Sequence, residues 1–312
     1  MPRYKIIVNP TSGRGMGEQS YPTINAELSK LGLDYEMCRT EAPGHAIQLA
    51  QEAAADGFDV VVAAGGDGTL NEVLNGLMLV GSTRDQRPAL SVIPIGRGND
   101  FCFSVDIPMD IKTVCHLLAG GECRRIDVGF VKGGDYPEGR YFGNGVGIGF
   151  DAVVGFEALK LKKLGGFPSY IVAALKTILL YYQAPMVQIE MNGKSHTQPA
   201  LMVSVMNGRR LGGGFMMAPE GKMDDGQFDL SIVGQVSRLG ILGLIPRFMA
   251  GTQASHPAVY TDLTAGIKVI AIDGQLPAHG DGETICTAGQ ELEIRILPKA
   301  MRVIGTDQEG EL

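Results

Sequence analysis

The stretch that most restricts how this chain can fold is Gly65-Gly66-Asp67-Gly68-Thr69. It follows an apolar run over Asp59–Ala64 and leads into a helix pattern over Leu70–Met78. A strand that stops this sharply at glycines and restarts as a helix is the unit of a parallel sheet flanked by helices. The pattern recurs: Tyr4–Val8 ends in Asn9-Pro10-Thr11-Ser12-Gly13, and Leu90–Pro94 leads to Gly96-Arg97-Gly98-Asn99-Asp100. Helix patterns up to Leu31 and over His45–Ala55, with a strand over Asp34–Arg39, complete the alternation. Ligands of such sheets gather beyond the carboxyl ends of the strands, where all three turns lie.

After about Arg125 the rhythm changes. Arg140–Gly149, Met186–Met191, Ala200–Met206, Phe228–Val233 and Gly266–Ile272 read as strands joined by turns, with helix patterns near Asp151–Leu164 and Ser169–Tyr182. The Asp273-Gly274 pair reads as a hairpin turn. A chain of 312 residues exceeds one usual core. The expectation is an α/β N-terminal domain with a parallel sheet (residues 1–125) and a C-terminal β-sandwich domain with helical insertions (residues 126–297). Residues 298–312 are expected to return to the first domain.

The formal net charge of −7 disfavours a nucleic-acid partner. Five dispersed cysteines form no metal or disulfide framework and suit a cytoplasmic protein. Met-Pro-Arg-Tyr-Lys runs directly into a strand pattern, so no signal peptide is expected. No apolar run is long enough to span a bilayer. Any work on a membrane is then done from its surface.

The glycines of the 65–69 turn let backbone N–H groups approach a phosphate, and the following helix adds its positive end. Asp67 would repel bare phosphate and makes sense with Mg²⁺ between them. The same residues also read as a plain strand–helix turn with an aspartate cap. Asn9, Thr11, Ser12 and Gly13 offer short polar contacts at a neighbouring strand end, and no Gly-Lys-Ser/Thr follows, so this is not a Walker-type loop. Asp281-Gly282-Glu283 reads as an exposed acidic turn or as a source of a general base. Asp273-Gly274 is followed by Gln275, which cannot serve as one.

As an ordered set these motifs resemble the diacylglycerol kinase catalytic domain family, in its soluble bacterial lipid kinase branch. The set runs from Asn9–Gly13 through Thr40, Gly44-His45-Ala46, Gly65–Thr69 with Leu70-Asn71-Glu72, and Gly96–Asp100 with Phe101. It continues with Asn144, Gly147–Asp151, Asp224-Asp225-Gly226 and Asp281-Gly282-Glu283. The resemblance implies an NAD kinase/diacylglycerol kinase-like fold with the active site in a cleft between the domains. It implies ATP held by Asn9, Pro10, Thr11, Ser12, Gly13, Thr40, Gly65, Gly66, Asp67, Gly68, Thr69, Leu70, Asn71, Asn99 and Asp100, the last with Asp67 near Mg²⁺. Glu283 and Asp281 would be the catalytic acids, Glu283 foremost as base. A structural Mg²⁺ site would take main-chain carbonyls of Lys222 and Gln227 and the Asp225 carboxylate.

The acceptor implied is a hydroxyl on a membrane lipid, diacylglycerol first, giving phosphatidic acid. Sphingoid bases, undecaprenol-like alcohols and phosphatidylglycerol stay open. The expected setting is cytoplasmic and peripheral at the membrane; the sequence leaves the oligomeric state open, a homodimer among the options. The alternatives are an NAD kinase-like phosphotransferase and a noncatalytic nucleotide- or lipid-sensing protein on the same fold. The family's turn after the fourth strand has Thr or Ser where this chain has Arg97. A guanidinium there either contacts phosphate or points away. Phe156, Leu159, Leu164, Phe167 and Tyr170 read as core residues or as a lipid pocket, and the Lys160, Lys162 and Lys163 cluster as solvated surface or as headgroup contacts.

Overall fold

Short parallel strands alternating with helices build the first of two compact units, Met1–Val128 with Pro298–Leu312. A computed structural model describes residues 1–80, 83, 85–120, 122–161, 167–181 and 184–305. Lys162, Lys163, Leu164, Tyr182 and residues 306–312 lie outside the described residues. The chain alternates β1 (Arg3–Val8), α1 (Ser12–Lys30), β2 (Asp34–Arg39), α2 (His45–Ala55), β3 (Val60–Gly65), α3 (Asp67–Leu79) and β4 (Ala89–Pro94). Then come α4 (Asp100–Ser104), α5 (Ile111–Gly120) and β5 (Cys123–Gly133). The strands lie in the order β2-β1-β3-β4, all parallel. β3 and β4 are buried along their whole length, which is why their sequences are continuously apolar instead of alternating.

The second unit, Gly129–Leu297, opens with β6 (Tyr136–Phe142), β7 (Gly145–Gly149), α6 (Phe150–Lys160) and α7 (Phe167–Leu180). It continues through β8 (Met186–Met191), β9 (Lys194–Pro199), β10 (Met202–Met206), β11 (Phe228–Val233) and α8 (Arg238–Ala250). It closes with β12 (Val259–Thr264), β13 (Gly266–Ala271), β14 (Leu276–Gly280), β15 (Glu283–Gly289) and β16 (Glu291–Ile304), whose last residues return to the first unit. There Val303 pairs with Leu90 of β4, in parallel.

One antiparallel sheet runs β12-β11-β10-β7-β14-β15, and the other joins β16, β13, β8 and β9, with β5 and β6 attached through β16. Alternating side chains of β8 and of the start of β16 are buried, the signature of a sheet with one face on a core. Phe142, Val146, Phe228, Val269 and Leu292 fill the space between the sheets, with the Phe142 and Phe228 rings stacked at 5.6 Å. A second core, including Val154, Ala174, Met202, Leu244 and Phe248, joins α6, α7 and α8 to the β10–β11 region.

Three local expectations change. Arg140–Gly149 is not one strand: it breaks at Gly143-Asn144, β6 going to one sheet and β7 to the other. Asp273-Gly274 is not a hairpin, because β13 and β14 belong to opposite sheets. Gly274 does take the left-handed conformation that the pair favours, and the Asp273 carboxylate accepts the Met186 N–H at 2.6 Å. Helix α8 escapes the sequence reading because Gly240, Gly243 and Pro246 interrupt its pattern. The true two-residue hairpin turn is Asp281-Gly282, both at positive φ, between Gly280 and Glu283.

Candidate active site

In the first unit, three turns after parallel strands pack glycine against glycine. A Cβ added to Gly96 would lie 2.4 Å from the Gly66 Cα, and one on Gly13 would lie 2.4 Å from the Ile95 carbonyl oxygen. Neither position admits a side chain, so the three backbones approach as only glycine permits. The Ile95 and Gly96 N–H groups both donate to the Gly65 carbonyl, at 2.8 and 3.1 Å. Gly13, Arg14 and Gly15 all have positive φ, so the chain makes a loop before α1 settles into helix.

Side chains lock the first turn to the second. Asn9 Nδ2 donates to Thr69 Oγ1 at 2.9 Å, and Asn9 Oδ1 accepts from the Thr11 N–H and hydroxyl. The Thr40 N–H donates to the Val8 carbonyl, which puts Thr40 beside the end of β1. Gly66 caps α3 and Asp67 is its first residue. The Asp67 carboxylate reaches the third turn instead of capping its own helix, accepting the Phe101 N–H at 3.2 Å. A Cβ on Gly98 would stand 3.0 Å from Asp67 Oδ2 and 3.3 Å from Asp100 Oδ2, so two carboxylates converge over a residue with no side chain. Oxygen donors so placed suit a hard divalent cation. Asn99, at positive φ, ties its side-chain amide to the Gly96 carbonyl.

Not every candidate faces this cluster. Leu70 and Asn71 are buried, and the Asn75 amide donates to both the carbonyl and the side-chain oxygen of Asn71. Glu72 accepts the Gly44 and Ala46 N–H groups at 2.8 and 3.1 Å, fastening the start of α2. Arg97 is exposed.

The second unit carries the acidic hairpin. Asp281 is buried, and its carboxylate accepts the N–H groups of Gly143, Asn144 and Gly145 at 2.6, 3.0 and 3.0 Å. Those donors are the break between β6 and β7, so one side chain turns the chain from sheet to sheet. Glu283 begins β15 and is half-buried.

His279, two residues before the hairpin turn and paired with Thr284 and Gly147, borders a cavity of about 90 Å³. Apolar side chains including Val154, Ala174, Met202, Leu244 and Phe248 line it, with Asp151 and Tyr170 as its other ionisable neighbours. Burial pushes the Asp151 carboxyl up to about 7, against the hydrogen bond from the Ser204 hydroxyl. Burial likewise drives His279 down to about 4, leaving a neutral imidazole. Sequence reading missed this pair as a site. Its faint signal was a histidine and an aspartate beside glycine-rich strands.

Asp225 lies near a further acidic group, its carboxylate accepting the Gln227 N–H at 3.0 Å. Burial first, then the charges of Asp225 and Glu220, push Asp229 up to about 6. The donor set of Lys222, Asp225 and Gln227 is all oxygen, and the field there is negative, so these residues fit Mg²⁺.

Comparison with known proteins sets this geometry in a family. The diacylglycerol kinase catalytic domain profile matches residues 3–131, and the YegS C-terminal NAD kinase beta sandwich-like domain profile matches residues 144–305. A diacylglycerol kinase of Staphylococcus aureus is 33% identical over 283 residues, 90% of this chain and 86% of the relative. The chain belongs to the diacylglycerol kinase family. It is by that membership a lipid kinase. Another diacylglycerol kinase, of Staphylococcus saprophyticus, is 31% identical over 89% of this chain and 88% of its own. Among solved structures, a diacylglycerol kinase candidate of Bacillus anthracis superposes with a TM-score of 0.79 at 26% identity, over 98% of this chain and 95% of that one. Yeast NADH kinase shares the fold alone, with a TM-score of 0.52 at 12% identity, over 99% of this chain and 84% of that one.

Proposed function

We propose that this lipid kinase transfers the γ-phosphate of ATP to the hydroxyl of diacylglycerol, giving phosphatidic acid. The observation that carries the choice of acceptor is the apolar cavity whose polar border, His279, sits two residues from the hairpin turn that leads into Glu283. An apolar wall beside an acid is what a hydroxyl on a hydrocarbon-rich molecule requires. The cavity's volume is below the roughly 150 Å³ that holds a benzene ring, so as it stands it takes only a short piece of an acyl chain. The names of the staphylococcal relatives point the same way.

In this reading the first unit holds the nucleotide. Backbone N–H groups of the Asn9–Gly13 and Gly65–Thr69 turns meet the phosphates, and the start of α3 adds its dipole. Asp67 and Asp100 would hold Mg²⁺, which would offset the charge of the phosphates. Leu70 and Asn71 support the turn from beneath, because both are buried. In the second unit Glu283 accepts the proton of the acceptor hydroxyl, while Asp281 fixes the hairpin that carries it. Lys222, Asp225 and Gln227 bind a structural Mg²⁺ in the same unit.

A panel of dispersed lipid alcohols offered with labelled ATP and Mg²⁺ tests the reading. Label is expected in phosphatidic acid from diacylglycerol, well above any product from sphingosine, undecaprenol or phosphatidylglycerol. Label in NADP from NAD, with none in lipid, would overturn it. Arg97, exposed on the third turn, is expected to contact phosphate. Arg97→Ala should raise the KM for ATP severalfold with kcat little changed; an unaltered KM would show that the guanidinium points away.

A further inference from the structure

Helices α7 and α8 are apolar on two sides. Their inner faces, through Ala174, Ile241, Leu244 and Phe248, line the cavity described above. Their outer faces carry a second apolar stripe. On α7 it is Val172, Leu175 and Leu179, at 40%, 47% and 70% exposure; on α8 it is Leu239, Leu242 and Met249, at 78%, 40% and 41%. Spacings of three, four and seven residues put each set along one side of its helix. The two helices pack against each other. Large apolar side chains gathered this way at a surface mark an interaction site.

Charge identifies the occupant. The chain has 34 acidic residues against 27 basic ones, yet residues 158–189 and 230–261 contain no Asp or Glu. α7 carries Lys176, and α8 carries Arg238 and Arg247. Facing Lys176 from α6 is Glu157, which it shares with Lys160, two lysines to one carboxylate. A second copy docked on this surface by a two-fold axis would set one cationic face against another. An anionic bilayer attracts all of them.

We propose that the outer faces of α7 and α8 are the surface by which the protein sits in an anionic membrane, and that the lipid enters the cavity between these helices. The proposal rests on the lipid kinase reading and adds where the bilayer is met. Tyr170 and Ile245, half-buried and lining the cavity, mark the way in. Helices of this composition lie in the plane of the interface with their apolar sides in the acyl boundary.

The full-length protein is sedimented with vesicles of dioleoylphosphatidylglycerol or of dioleoylphosphatidylcholine, without ATP. Strong partition onto the first and weak partition onto the second is expected. The pairs Leu175→Ser with Leu179→Ser, and Leu239→Ser with Leu242→Ser, should each weaken partition about tenfold or more. Both pairs should phosphorylate dispersed dioctanoylglycerol within about twofold of the parent rate. Unchanged partition in both pairs overturns the proposal, as does equal binding of the parent to the two vesicles. A parent dimer that these substitutions split in sedimentation velocity gives the stripe to a second copy and also overturns it. Vesicle binding by a protein that phosphorylates no lipid would sink the kinase reading and leave the surface standing.

Discussion

Replacing Glu283 by Gln should lower lipid phosphorylation by about 10²–10⁴-fold while ATP binding stays within about twofold. The amide keeps the shape and the half-buried position at the start of β15 but cannot take a proton. Phosphoryl transfer draws mainly on positioning and charge neutralisation, so activity should fall and not vanish. Lipid KM should hold, because the substitution leaves the apolar cavity lining untouched. Two measurements check this: initial rates with dispersed diacylglycerol, and nucleotide affinity by calorimetry. The acid limb of the pH–rate profile should also disappear with the carboxylate. A variant that keeps its full rate would remove Glu283 as the base and leave the nucleotide assignment untouched.

The turns proposed to hold the nucleotide were legible in the sequence because their packing is written in glycine. Gly96 and Gly13 sit where a Cβ has no room, and that requirement is local enough to read from a strand, a turn and a helix start. The parallel sheet followed from the same alternation. The second unit was harder. Arg140–Gly149 looks like a single strand, since nothing in its residues announces that Asp281, far along the chain, will collect three of its N–H groups. Asp273-Gly274 carries hairpin chemistry and has the backbone conformation to match, yet the strands around it go to different sheets. Pair choice between strands is a long-range property that turn residues do not encode. The cavity was the least legible feature: Val154, Ala174, Met202 and Phe248 come from four separate elements, and each alone is an ordinary core residue.

Asp281 and Glu283 stand two residues apart, and the roles proposed for their carboxylates differ, so their variants should fail in different ways. Asp281→Ala leaves three buried backbone N–H groups without an acceptor, each costing roughly 1–3 kcal/mol. It also puts alanine at a φ of 48°, a left-handed conformation costing a further 1 kcal/mol or so. Relaxation and water entry recover part of this, so a loss of about 4 kcal/mol is expected from urea unfolding. Asp281→Asn should lose about half as much. Asparagine tolerates the backbone, and its single oxygen can keep the Asn144 and Gly145 bonds while its amide faces the Gly143 donor. The asparagine variant is the informative one for catalysis, since enough folded protein should remain to assay. If Asp281 only holds the hairpin, its kcat should fall modestly with the acid limb of the pH–rate profile intact. A loss of that limb in Asp281→Asn, matching the loss in Glu283→Gln, would make Asp281 a partner in the proton transfer. An alanine variant within about 1 kcal/mol of the parent would remove the anchor itself.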